Sequence, residues 1–168
     1  MFNIEINNQQ NRLSIEDDRL IRAVEMIFLD EGVEAAAINV AIVDDPTIHD
    51  LNRRFLDHDE PTDVLSFVLD DDAGRLEGDV IVSADTAIHT AAQLQWPAAD
   101  ELLLYVVHGT LHLVGYDDLV PESRCEMRIR ERHYLAQFGL QPPSTDPEND
   151  LIETSPQGTV ELLVAHEG

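Results

Sequence analysis

Phe2, Ile4 and Ile6 alternate with polar neighbours, the period-two pattern of a strand buried on one face. Ser14 caps a helix that runs to about Glu31, with Glu16, Asp17 and Asp18 in its positive first turn and Gly32 ending it. Ala37 to Val43 is rich in β-formers, and Asp45-Pro46 reads as a cap followed by proline at the first position of a second helix, which reaches about Phe55. Val64 to Leu69 and Gly78 to Ser83, separated by an acidic turn at Asp70 to Gly74, suggest an antiparallel pair. Three helices close the pattern. One covers about Ala84 to Gln95, one about Ala98 to Val114, and one about Pro121 to Phe138, stopped by Gly139. The middle one is apolar on most sides and is therefore expected to be buried.

The order βαβαββααα, with strands early and helices late, predicts an α+β fold. A small sheet of about four strands, mostly antiparallel or mixed, carries the helices. Residues 1 to 140 form the folded domain. Residues 141 to 168 hold four prolines, six acidic residues and no arginine or lysine, and read as a disordered tail. Val160 to Val164 can add a short strand, but free tail is the preferred reading there.

Charge narrows the function classes. With 34 acidic and 10 basic residues the chain carries a formal charge of −24, and every basic residue is arginine. A broad basic surface that grips nucleic acid through many phosphates is excluded, whereas an RNA held locally by a few arginines or a metal ion is not. No apolar run approaches the roughly 20 residues of a membrane helix, and the N-terminus lacks the features of a secretory signal, so a cytoplasmic location is expected. The single cysteine, Cys125, is too few for a disulfide or a cysteine zinc cluster and reads as half-buried.

The chemistry concentrates in His108-Gly-Thr-Leu-His112-Leu-Val-Gly115-Tyr-Asp117-Asp118. Histidines four apart on a helix point the same way and can converge on one metal ion. Gly115 can end that helix in a left-handed cap, after which the reversed chain returns Asp118 toward the pair. Two imidazoles and one carboxylate with an open coordination position suit catalytic zinc. Gly109 stands where a zinc peptidase of the H-E-x-x-H type carries its glutamate, which lowers the standing of peptidase chemistry. A second segment, Leu51 to Phe67, holds Arg53 and Arg54, which can meet phosphate. It also holds Thr62 or Asp63, which can fix the turn into a strand by side-chain-to-backbone bonds, and Ser66, which can face a cleft.

The blocks LNRRF, PTDVLSF, GDVIVS and HGTLHLVGYDD, in this order and spacing across residues 1 to 140, resemble the YbeY family of metal-dependent endoribonucleases and ribosomal RNA maturation factors. The resemblance implies a metal-hydrolase-like (zincin-like) α+β domain, one zinc ion, and cleavage of single-stranded RNA. The implied setting is maturation of the small-subunit ribosomal RNA 3′ end and ribosome quality control. Its implied partners are ribosomal RNA, the small subunit and other ribosome-assembly proteins, with neither DNA nor membrane among them.

By that resemblance His108 and His112 are the first two metal ligands, while the family's third histidine falls on Asp118. A carboxylate binds zinc at about 2.0–2.2 Å and completes the set, although it reaches less far and lowers the net charge at the metal. Asp117 also matches a family residue and can hydrogen-bond a ligand or the loop. Two basic positions after the LNxxF aromatic are replaced by Leu56 and His58. The candidates for stabilising phosphoryl charge are therefore Arg53, Arg54 and His58. Two other readings stand beside zinc-dependent RNA hydrolysis: a non-catalytic ribosome-assembly factor with a structural metal, and a metal hydrolase of another class such as a peptidase.

Overall fold

A computed structural model describes residues 1–60, 62–72 and 74–143, together with the backbone of 162–164. The elements are β1 (Phe2–Asn8), α1 (Asp17–Asp30), β2 (Ala35–Val43), α2 (Asp45–Leu56), β3 (Val64–Asp72), β4 (Arg75–Ser83), α3 (Ala84–Leu94), α4 (Ala98–Leu113), α5 (Pro121–Ala136) and β5 (Leu162–Val164). They form an α+β fold with strand order β1-β2-β4-β3-β5. The sheet is mixed. Parallel pairing joins β1 to β2 and β2 to β4, because α1 and the α2–β3 segment supply the crossovers that parallel neighbours need. Antiparallel pairing belongs to the β3–β4 hairpin, whose ladder runs past a register shift after Val68 and pairs Asp70 to Asp72 with Arg75 to Glu77. The residues expected to form a long acidic turn are therefore mostly strand.

Two helix starts differ from the sequence reading. The first helix begins at Asp17 rather than next to Ser14, and its N-cap, Glu16, makes no side-chain cap bond. The second is capped by Asp44, whose carboxylate accepts from the Thr47 amide, so the cap lies one residue before Asp45. Asp45 instead accepts from the hydroxyls of Ser83 and Thr86, tying the start of α2 to the start of α3. At the far end of the chain, Leu162–Val164 pairs in parallel with Ser66 to Val68 of β3, where free tail was preferred. The rest of the expected disordered tail, from residue 144, lies outside the described residues.

Period-two alternation splits the sheet into two apolar faces. Ile38, Val40, Ile42, Val64, Val80 and Val82 point to the main core, which α1, α4 and α5 complete with Ile27, Phe28, Leu103, Val107, Leu111 and Tyr134. Ala41, Val43, Leu65 and Phe67 point the other way and are covered by Ile48, Leu51 and Leu56 of α2. Thus α2 and α4 lie on opposite sides of the sheet. Helix α4 packs closely: a Cβ on Gly109 would sit 2.7 Å from Val80 Cγ1 and 2.9 Å from Val64 Cγ2. Ser66, expected to face a cleft, is instead fully buried beneath this contact, and its hydroxyl donates to the Gly109 carbonyl at 2.8 Å. An inward hydroxyl in an apolar strand is tolerated there because the helix offers it an acceptor.

Candidate metal centre

Glu101, Tyr105, His108 and His112 recur at intervals of four, three and four residues, so they form one polar stripe along α4. Beside this stripe Gly109 presses on the sheet, which fixes the height and rotation of the helix. At its C-terminal end the Gly115 amide bonds to His112 O and the Tyr116 amide to Leu111 O, with Gly115 at φ +107°. That is the glycine-dependent stop expected of the sequence, and it turns the chain back on itself. The Tyr116 hydroxyl then donates to Glu31, the residue that caps the end of α1 and also receives Arg130 of α5. The loop after α4 is thereby fastened to two neighbouring helices.

The turn delivers Asp118 to the histidines. His108 Nε2 and His112 Nε2 lie 3.2 Å apart. Asp118 Oδ2 is 3.6 Å from the first, and Oδ1 is 3.7 Å from the second. A tetrahedral zinc ion with bonds of about 2.0–2.2 Å holds its nitrogen and oxygen donors roughly 3.3–3.5 Å apart, so the three groups already stand near the spacing of one shared cation. Two neutral, nitrogen-bearing ligands and one anionic oxygen ligand are also a donor set that zinc accepts. The residues fit a divalent metal.

Charge in the pocket points the same way. Burial pushes His108 toward its neutral form, but Glu131, Asp118 and Asp63 outweigh it and raise its pKa to about 10. Burial also opposes ionisation of Asp118, yet the two histidines hold its carboxyl well below the usual carboxylate range. The pocket thus stabilises positive charge where the two imidazoles meet. A metal ion entering there displaces a proton.

Glu131 was not evident from the sequence. It stands on α5, is buried, and accepts from His108 Nδ1 at 3.1 Å. The available signal was a charged residue on the stripe that carries Met127, Tyr134 and Leu135, all buried. Two further acids lie in the same interior. Asp63 accepts from the Val64 amide and the Thr62 hydroxyl, as the turn reading anticipated, and burial raises its pKa. Glu101 accepts from Trp96 Nε1 at 3.0 Å, and burial, with Asp63 and Glu131 nearby, raises it too.

The other sequence candidates are not drawn into this cluster. Arg53 and Arg54 are both more than half exposed and ion-pair with Asp50 on their own helix, on the face of the sheet opposite α4. His58 lies in the loop after α2, 4.0 Å from Glu60. Asp117 is exposed; its carboxylate accepts from the Leu119 amide and so shapes the loop. Cys125 is exposed rather than half-buried, because it falls outside the Met127–Glu131–Leu135 stripe of α5. No helix among the described residues is long and apolar enough to cross a membrane.

Comparison with known proteins places these features in context. The family model described as Endoribonuclease YbeY matches residues 5–139. An Endoribonuclease YbeY from Rhodopirellula baltica is 44% identical over 125 residues, covering 73% of this chain and 64% of that protein. One from Syntrophotalea carbinolica is 40% identical over 142 residues, covering 80% of this chain and 95% of the relative. The chain therefore aligns with less than two thirds of the first relative's length but nearly all of the second. Among solved structures, the solution structure of TM1509 from Thermotoga maritima superposes with a TM-score of 0.59 at 27% identity, covering 88% of this chain and 98% of that one.

Proposed function

Because the chain belongs to the Endoribonuclease YbeY family, we propose that it is a zinc-dependent endoribonuclease that cuts single-stranded RNA, acting on small-subunit ribosomal RNA during 3′-end maturation and ribosome quality control. The observation that carries this reading is the convergence of His108, His112 and Asp118, whose donor atoms all lie within 4.8 Å of one another. A cation held there supplies Lewis acidity that polarises a phosphoryl oxygen and acidifies a water molecule.

The chain's own residues supply the rest. His108 and His112 present Nε2 on the same side of α4, and Asp118 closes the third corner from a loop fastened by Tyr116. Both histidines are largely buried, which keeps their lone pairs from bulk water and strengthens their electrostatic hold on a cation. Arg53 and Arg54, exposed on the far side of the sheet, serve as cations for the RNA backbone away from the reacting phosphate. His58, in the loop between α2 and Asp63, is the candidate for charge stabilisation that lies outside α2. Docking on the small subunit supplies the affinity that an acidic surface cannot.

Zinc content and cleavage of a single-stranded RNA, measured for wild type and His112→Ala, test this function. Loss of both in the variant supports it; equal cleavage by the two proteins removes the metal from the mechanism. A second reading, a non-catalytic assembly factor with a structural metal, is favoured by the pairing of Arg53 and Arg54 with Asp50 and by the charge of −24. Binding to small-subunit particles without RNA cleavage would decide for it.

A further inference from the structure

Glu131 sits where packing alone does not call for a charge. Its neighbours on the same stripe of α5, Met127, Tyr134 and Leu135, are buried in the main core. A carboxylate in such a row costs free energy unless a hydrogen-bonding partner compensates it. Its partner is His108 Nδ1, 3.1 Å away, and the two side chains are only 9% and 16% exposed. A carboxylate can only accept, so Nδ1 must carry the proton. When the ring gives up its other proton to bind a cation, its lone pair is therefore on Nε2, the atom that faces His112 and Asp118.

We propose that Glu131 is a positioning residue of the metal centre, fixing the tautomer and rotation of His108 so that Nε2 is turned to the cation. The inference rests on the reading of His108 as a metal ligand. Glu131 acts through the imidazole and not on substrate, because it meets the ring at Nδ1 while the cluster lies at Nε2. The two histidines differ in this respect. His112 Nδ1 is buried with no hydrogen-bond partner among the described residues, so on that side the ring, 2% exposed, is held by packing. Helix α5 thus orients one ligand and helix packing the other. Such an outer partner also raises the basicity of its imidazole, and losing one typically weakens metal binding about 10–100-fold.

The test measures zinc affinity by competition with a chromophoric chelator for wild type, His112→Ala, Glu131→Gln and Glu131→Ala. The His108 tautomer is followed by nitrogen-15 NMR in the zinc-loaded proteins. The amide of Glu131→Gln can still accept from Nδ1 but lacks the charge, so it should weaken zinc binding several-fold and keep the tautomer. Glu131→Ala should fall in the full 10–100-fold range and lose the single tautomer. A merely structural role would lower the unfolding temperature of both variants while leaving affinity and tautomer untouched, which would overturn the proposal. Should Glu131→Ala not fold, Glu131→Gln decides, wild-type affinity there being the overturning result. Failure of wild type itself to bind zinc would overturn the metal reading underneath, an outcome distinct from tight binding that ignores Glu131.

Discussion

His108 Nε2 faces His112 Nε2 across 3.2 Å. Two lone pairs in that position repel, so a proton or a cation must lie between the rings. Zinc added at about 100 times its dissociation constant should stabilise the fold by about 2.7 kcal/mol, which for a chain of this length raises the unfolding temperature by roughly 5–10 °C. In His112→Ala the rise should vanish. Cleavage should drop by more than the roughly 10–100-fold that follows loss of an outer partner. Calorimetry with and without zinc, alongside an RNA cleavage assay, checks both.

Asp118 places a negative charge where a third histidine, the ligand that the resemblance implies, would place a neutral imidazole. Asp118→His should keep zinc bound and move the pH profile of RNA cleavage toward lower pH. The shift should be a fraction of the roughly two units that separate a protein-held zinc centre from the free aqueous ion. Asp118→Ala should lose affinity instead. A profile whose acid limb does not move in the histidine variant would show that the ligand's charge does not set the ionisation of the attacking water.

Glu101 is buried beside Asp63 and Glu131, and its pKa is raised chiefly by burial. A carboxyl raised in the folded state contributes stability below its unfolded pKa and loses that contribution as pH climbs through its folded value. At pH 8 the ionised group is therefore a cost. Glu101→Gln, which can still accept from Trp96, should unfold at a higher temperature than wild type at pH 8, and the difference should shrink toward pH 4. A difference that stays level across this range would assign Glu101 no titrating role in stability.

Gly109→Ala should destabilise the fold. The new methyl would meet Val80, Val64 and Ser66 at 2.7–3.0 Å. Overpacking of this kind costs about 1–3 kcal/mol, offset by about 0.5–1 kcal/mol of improved helix propensity. The net effect is a fall of a few degrees in unfolding temperature. Because Gly109 adjoins His108, zinc affinity should fall as well, and chelator competition would reveal it.

Arg53→Ala with Arg54→Ala should leave zinc binding unchanged. Each arginine is exposed and paired with Asp50, an arrangement worth at most about 1 kcal/mol, so the unfolding temperature should move little. RNA affinity at low salt should weaken while kcat is retained. A large drop in kcat would put the pair at the reacting phosphate after all.

Most of the candidate site was legible in the sequence because its parts are local. His108 and His112 are one turn apart, and Gly115 and Asp118 follow within six residues, so helix geometry alone predicts convergence. Glu131 was hidden because it reaches His108 from another helix, 23 residues on, and only tertiary packing joins them. The position of the arginine pair was hidden for the same reason: nothing in the chain around Arg53 tells which side of the sheet α2 will cover. Strand existence followed from alternation and the antiparallel β3–β4 pair from the turn between them, but the parallel pairings did not, since parallel neighbours are set by crossovers rather than by local pattern. Ser66 shows the limit on the inner face, where a polar residue signalled a contact with a helix carbonyl rather than an opening.

The three residues that pair with β3 from the distant end of the chain occupy the sheet's rim. An open rim offers its amides and carbonyls to any passing strand, including that of a second molecule. A chain cut short before Leu162 would leave those groups to solvent, and concentration-dependent association in light scattering would be its signature. On that view the final segment acts as a guard against self-recruitment.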